Sequence, residues 1–318
     1  MIELYHQLPK EFKAIDLHSD LLSYLSASSA HTPFDAGSCC SLKQFCSGGV
    51  GRVVLPIFAP TEPCSHQVFE KQLMLFEKLV QKRVQKPDFR LAVENASTFI
   101  SSSGSIREDT DRFEQLCSHR GVHLVYVSLT WNGENRLGGG VGSAKGLTEH
   151  GRDLINVLAR HCGAIDLSHA SDAHASDILA YTASVKSPLQ VIASHSNFRS
   201  VTDVPRNLPD VVAEQIVERG GLIGLTLVKP FIGPEKMSFF EHVEYALVRG
   251  WERSLALGAD FFSPRVFSSS SRNEGEWFFP QWQTPECIAE LSQLLKHHFG
   301  EELTRGIMCE NAQRVLFS

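Results

Sequence analysis

The chain has 318 residues, of which 42% are hydrophobic and 21% charged, and its formal net charge is -6. It is long enough to bury a large core, in one large domain or two small ones. The mild acidity and the lack of any Lys/Arg cluster argue against a nucleic-acid footprint, and no apolar run approaches the length of a membrane span, so small-molecule chemistry is the expectation.

Short β-branched runs recur along the chain between helix-like stretches. The first three are AIDLH (14–18), GRVVLPIFA (51–59) and FRLAVE (89–94). HLVYVSLTW (123–131), AIDLSH (164–169), LQVIASH (189–195), GLIGLTL (221–227) and SLALGAD (254–260) follow. Each reads as a buried parallel strand. Helices are predicted at QVFEKQLMLFEKLVQKRV (67–84), TEHGRDLINVLARH (148–161), PDVVAEQIVERG (209–220) and TPECIAELSQLLKHHF (284–299). Eight β/α units over this length indicate one (β/α)8 TIM barrel spanning 1–318. A doubly wound open sheet would carry a glycine-rich phosphate turn after its first strand, whereas here that strand runs straight into HSDLLSYL. GGGVG (138–142) reads as a flexible loop near the site, and the polar, aromatic-tipped SPRVFSSSSRNEGEWFFPQW (263–282) as a long loop over the barrel mouth.

Six residues, His18, Asp20, Glu94, His169, His195 and Asp260, fall at the ends of these strand-like runs. Imidazole nitrogen and carboxylate oxygen suit divalent ions, and a TIM barrel gathers its reactive groups at the C-terminal ends of its strands. Together they form the ligand set of a two-metal hydrolase. His18 and Asp20 alternate on an extended backbone and can grip one ion. Taken alone, His18 would be a buried, backbone-bonded histidine and Asp20 the N-cap of the next helix. Glu94 would be costly to desolvate without a cation and is assigned as the bridging ligand. His169 and His195 face the same centre from neighbouring strands. Asp260 is placed to take a proton from an activated water, its plain alternative being a cap on the next element.

The motifs IDLHSDLL, AVENAS, IDLSHAS, VIASHSNFRSVTDVPRNLPDVV and LGADF, with the closing ENAQRVL, resemble the renal (membrane) dipeptidase family of zinc peptidases along nearly the whole chain. The resemblance implies a centre of two Zn2+ ions, with His18, Asp20 and Glu94 on one ion and Glu94, His169 and His195 on the other. It also implies that Arg206 receives the terminal carboxylate of a dipeptide, for which a guanidinium fork is suited. On that pattern a hydroxide bridging the ions attacks the peptide carbonyl, Asp260 passes the proton to the leaving amine, and a D-residue is tolerated at the second position. A homodimer rests on family analogy alone. The chain departs from the family at Trp131, where the mammalian enzyme has a histidine, and at Phe261-Phe262-Ser263, where Phe-Asp-Gly is common. Trp131 and Asn132 are then expected against the substrate, with the zinc ions, or Asn132, Asn135 or His150, as candidates to steady the oxyanion. Another metal-dependent amidohydrolase activity is the alternative within enzymes, although those relatives usually show H-x-H in place of H-x-D. A catalytically silent ligand-binding barrel is the alternative outside them.

The start, MIELYHQLPKEFKAIDLH, lacks a basic-then-apolar leader pattern, and the end has no hydrophobic tail, so a cytoplasmic protein is expected. Eight cysteines without CxxC or framework spacing suit reduced thiols. The remaining histidines are expected at the surface or on helices. His174, five residues beyond His169, shares no helical face with it.

Overall fold

The computed structural model describes residues 13–60, 66–84, 86–266 and 276–318. The stretch up to residue 12, Cys64 and the middle of the long loop at 267–275 lie outside them. Eight strands, β1 (Ala14–Asp16), β2 (Val50–Phe58), β3 (Asp88–Glu94), β4 (Leu124–Ser128), β5 (Cys162–Asp166), β6 (Gln190–Ile192), β7 (Ile223–Leu225) and β8 (Leu255–Leu257), pair in the order 6-5-4-3-2-1-8-7. Every pairing is parallel, and a bridge from Ala193 to Ile223 joins the two ends. This is a TIM barrel.

Strands buried on both faces explain the continuous apolar runs. One cluster, with Ile15, Val54, Ala92, Tyr126, Ala164, Ile192 and Ala256, draws on seven of the strands and includes Ala312 of the C-terminal helix Asn311–Leu316. At that end of β2, Arg52 donates to Gln313 and lies 4.4 Å from the centroid of the Phe317 ring, so the closing helix seals the mouth opposite the site. A larger cluster takes alternate strand residues such as Val53, Leu55, Ile57, Leu91 and Val93 against the surrounding helices. The four predicted helices form at His66–Gln81, Glu149–Leu158, Asp210–Glu218 and Cys287–Phe299. In the second, Gly151, Leu154, Ile155 and Leu158 give the 3.6-residue stripe, and the Thr148 hydroxyl caps the first turn by accepting from Gly151 N. Helices Ile106–Arg120, Asp172–Ser184 and Ser238–Val248 complete most of the remaining crossovers.

Most strands are shorter than the apolar runs suggest. The runs at 14–18, 164–169, 189–195 and 254–260 continue two or three residues past the last ladder position, where the backbone stays buried and keeps isolated bonds to its neighbours. Single hydrogen bonds, Leu17 N to Leu257 O (2.9 Å), Asp260 N to His18 O (3.0 Å) and Asp20 N to Phe261 O (2.9 Å), hold these extensions. Glu94 therefore ends its strand, while His18, His169, His195 and Asp260 sit just beyond theirs.

Candidate metal centre

The six strand-end residues gather at one cavity of about 550 Å³ at the C-terminal mouth, walled by Phe58, Trp131, Phe231, Phe262 and Trp277. Asp20, Glu94, His169, Arg206 and Asp260 line it, with His18 and His195 fully buried beside them. His18, Glu94 and His195 bring one ligand atom each within 4.8 Å of one another, and so do His18, Asp20 and Asp260. His18 thus belongs to both groups. His169 Nε2 lies 2.7 Å from Glu94 Oε1 and 3.0 Å from His195 Nε2.

Local backbone aims these groups. Asp20 stands at the N-cap position of the helix Leu21–Ala27 yet caps no backbone N–H; its Oδ1 accepts a long hydrogen bond from Ser23 Oγ (3.5 Å), and the carboxylate lines the cavity. Asp260 adopts a left-handed backbone with φ of 62°, held by its N–H on His18 O, and Asn95, next to Glu94, has φ of 72°. Such backbone costs energy in non-glycine residues, mildly in Asp and Asn, and recurs at functional sites. Gly258 belongs to the same design, since a Cβ there would lie 1.9 Å from Ser194 O and push away the loop carrying His195.

A layer beneath the ligands fixes each imidazole. The Tyr126 hydroxyl donates to Leu17 O (3.0 Å) and therefore accepts from His18 Nδ1 (2.7 Å). Ser194 Oγ donates to Asp166 Oδ2 (2.8 Å) and accepts from His195 Nδ1 (2.7 Å), while Asn132 Oδ1 accepts from His169 Nδ1 (2.8 Å). The network assigns the Nδ1–H tautomer to all three rings and turns their Nε2 atoms to the centre. His18 Nε2 is buried with no hydrogen-bond partner.

The electrostatics are those of a site with excess negative charge. Burial pulls the His18 imidazole down, but Glu94, Asp260 and Asp20 outweigh it and lift its pKa to about 10. Burial opposes ionisation of Glu94, yet His169 and His18 hold its carboxyl below the usual range. Burial and the Glu94 charge push Asp20 up to about 7, and burial, with Asp20 and Glu94 beside it, drives Asp260 far up. Burial and Arg206 lower His169 to about 4, and burial with His18 and Arg206 lowers His195 further. Three carboxylates around three imidazoles suit divalent cations, which take the place of protons on such ligands. The residues fit a metal centre in donor type, in convergence and in the unpartnered His18 Nε2.

Arg206 is buried. Its guanidinium donates to Ser196 Oγ (2.9 Å) and His195 O (3.1 Å), approaches His169 Nε2 (3.1 Å), and lies 5.5 Å from the Phe231 ring centroid. Trp131 lines the cavity and packs edge to face on Phe58 at 5.2 Å, and Asn132 lines it while holding His169. Asn135 is spent on its own loop, with Nδ2 on Leu129 O and Ser97 Oγ and Oδ1 accepting from Leu137 N and Gly138 N, and it is not among the cavity residues. His150 is not among them either. The glycine stretch at 138–142 reaches the rim with Val141 and Gly142 and is tied to the 132–135 turn by backbone hydrogen bonds. The described end of the long loop brings Trp277 into the wall. Sequence reasoning missed Tyr126, Asp166 and Ser194. His174 and His242 lie on helices, as expected, and both are fully buried.

A model of the membrane dipeptidase family (peptidase family M19) matches residues 2–318. Dipeptidase verJ of Clonostachys rogersoniana is 28% identical over 200 residues, 61% of this chain and 48% of that protein. An uncharacterized dipeptidase of Schizosaccharomyces pombe is 31% identical over 149 residues, 43% of this chain and 34% of that protein. The chain thus spans about half the length, or less, of these curated relatives. A metallopeptidase from Rhodobacter sphaeroides, solved with a phosphinate mimic of L-Ala-D-Ala, superposes with a TM-score of 0.77 at 19% identity, covering 96% of this chain and 98% of that one. An organophosphorus hydrolase mutant from Deinococcus radiodurans gives a TM-score of 0.55 at 12% identity over 96% and 94%. At such identities these structural likenesses speak for the fold. No helix among the described residues is long and apolar enough to cross a membrane.

Proposed function

The chain belongs to the membrane dipeptidase family, and from that premise we propose that it is a zinc-dependent dipeptidase acting as a single catalytic domain. The observation that carries the reading is the convergence of three Nε2 atoms and Glu94 at the floor of a cavity that Arg206 also lines. His18, Asp20, Glu94, His169 and His195 would hold two zinc ions, which when bound activate water and polarise the scissile carbonyl. Arg206 would receive the substrate carboxylate, and its burial makes that charge pairing strong. Asp260, pushed toward its protonated form by burial and by the neighbouring carboxylates, is suited to exchange a proton with the leaving amine. Trp131 and the aromatic walls exclude water around the scissile bond, and Asn132 keeps the His169 ring oriented while facing the substrate.

The L-Ala-D-Ala mimic bound by the Rhodobacter sphaeroides structure supports tolerance of a D-residue at the second position. The test is Asp260→Asn. Metal content is expected to stay at the wild-type level while kcat for L-L and L-D dipeptides drops about 100-fold or more. Full activity with metals retained would remove Asp260 from the chemistry.

A further inference from the structure

We propose that the cavity selects dipeptides with apolar side chains at both positions, an inference that rests on the dipeptidase reading and names its substrate class. Two aromatic walls face each other across the metal-ligand cluster. On one side stand Phe58, the last residue of β2, and Trp131, three residues past β4, packed edge to face at 5.2 Å. These strands flank β3, which carries Glu94 between them. On the other side stand Phe231, beyond β7, and Phe262 with Trp277, beyond β8, the last two edge to face at 5.7 Å. In the closed strand order β7 lies opposite β3, so a substrate over the centre has an aromatic surface on each flank.

The distribution of charge points the same way. Among the described residues, the ionisable side chains lining the cavity are Asp20, Glu94, His169, Arg206 and Asp260. On the dipeptidase reading all five are engaged, with Asp20, Glu94 and His169 on the ions, Arg206 on the carboxylate and Asp260 on the proton. Among the described residues, no further charge lines these walls to pair with an acidic or basic substrate side chain. Such a side chain would give up its hydration against Phe and Trp rings with nothing in return, whereas an apolar one is desolvated favourably.

The test is kcat/KM on the zinc-loaded full chain for Leu-Phe, Phe-Leu, Ala-Ala, Asp-Asp and Lys-Lys, each with L- and D-residues at the second position. Leu-Phe and Phe-Leu are expected to exceed Ala-Ala by about tenfold and the charged pairs by about 100-fold or more. Trp131→Ala and Phe262→Ala are each expected to lose about ten times more on Leu-Phe than on Ala-Ala, mainly through KM. Asp-Asp or Lys-Lys cleaved as well as Leu-Phe, or equal losses on Leu-Phe and Ala-Ala in both variants, would overturn the apolar selection and leave the dipeptidase reading standing. No cleavage of any dipeptide by metal-loaded protein would sink that reading, and the selection with it.

Discussion

Tyr126→Phe removes one oxygen atom from the interior of the barrel and tests whether the metal centre is held from below. The hydroxyl is fully buried, accepts from His18 Nδ1 at 2.7 Å and donates to Leu17 O at 3.0 Å. Without it both groups lose their partner in a place water does not reach. A buried polar group left unpaired costs about 1–3 kcal/mol, so the metal-free chain should lose about 2–4 kcal/mol, allowing for some relaxation. The second effect falls on the ligand. His18 Nδ1 no longer has an acceptor to fix its tautomer, and loss of such an outer partner typically costs about 10–100-fold in metal affinity. The assay is zinc affinity by competition with a chelator, run beside denaturant unfolding of the metal-free chain. Lowered stability with unchanged zinc affinity would refute the reasoning, because Tyr126 would then be core packing only. Tyr126→Trp or Tyr126→Leu would not separate the two effects, since both also change volume.

Arg206→Lys keeps the charge but loses the planar fork that donates to Ser196 and His195 O, so kcat/KM for dipeptides should fall about 10–100-fold with KM rising; unchanged KM would place the substrate carboxylate elsewhere. Acid should destabilise the fold through two buried histidines away from the centre. Burial lowers both His174 and His242 from 6.5 to about 4, and His242 is held neutral with Nδ1 accepting from Phe198 N and Nε2 donating to Ile232 O. A depressed folded pKa means the unfolded chain binds the extra proton first, so this stability is complete above about pH 6.5 and drains away as pH falls toward 4. Chemical denaturation of the metal-free chain across that window should show the decline, and His242→Gln, which can keep both hydrogen bonds, should flatten it; an equally steep decline in the variant would assign the acid sensitivity to other groups.

The barrel was legible because parallel strands buried on both faces announce themselves as short apolar runs, and because chemistry in this architecture gathers at one end of them. That placement singled out His18, Asp20, Glu94, His169, His195 and Asp260, and the structure brings all six into one cluster, four of them lining the cavity. What stayed hidden was hidden for physical reasons. Tyr126 lies inside LVYVS, where an aromatic residue is an ordinary strand former and nothing in the pattern reveals that its hydroxyl faces His18. Asp166 and Ser194 act through hydrogen bonds between strands distant in sequence, invisible to periodicity. Helix Ile106–Arg120 is weakly marked because IREDTDRFEQLCSHR has few apolar residues to mark a face, and Asp172–Ser184 because its alanines and its one threonine blur one. His174 and His242 fall on helices as expected, but their full burial was not legible, since a histidine carries no sign of burial in its type. The strand ends were overrun because burial and isolated backbone bonds continue past the last regular ladder position.

The central claim is a pair of zinc ions that cleaves dipeptides. Elemental analysis of the purified chain, paired with hydrolysis of L-L and L-D dipeptides before and after chelation, tests it most directly. The expected result is about two zinc ions per chain, cleavage abolished by the chelator and restored by zinc. A chain that binds no metal, or that binds zinc and cleaves no dipeptide, would contradict it.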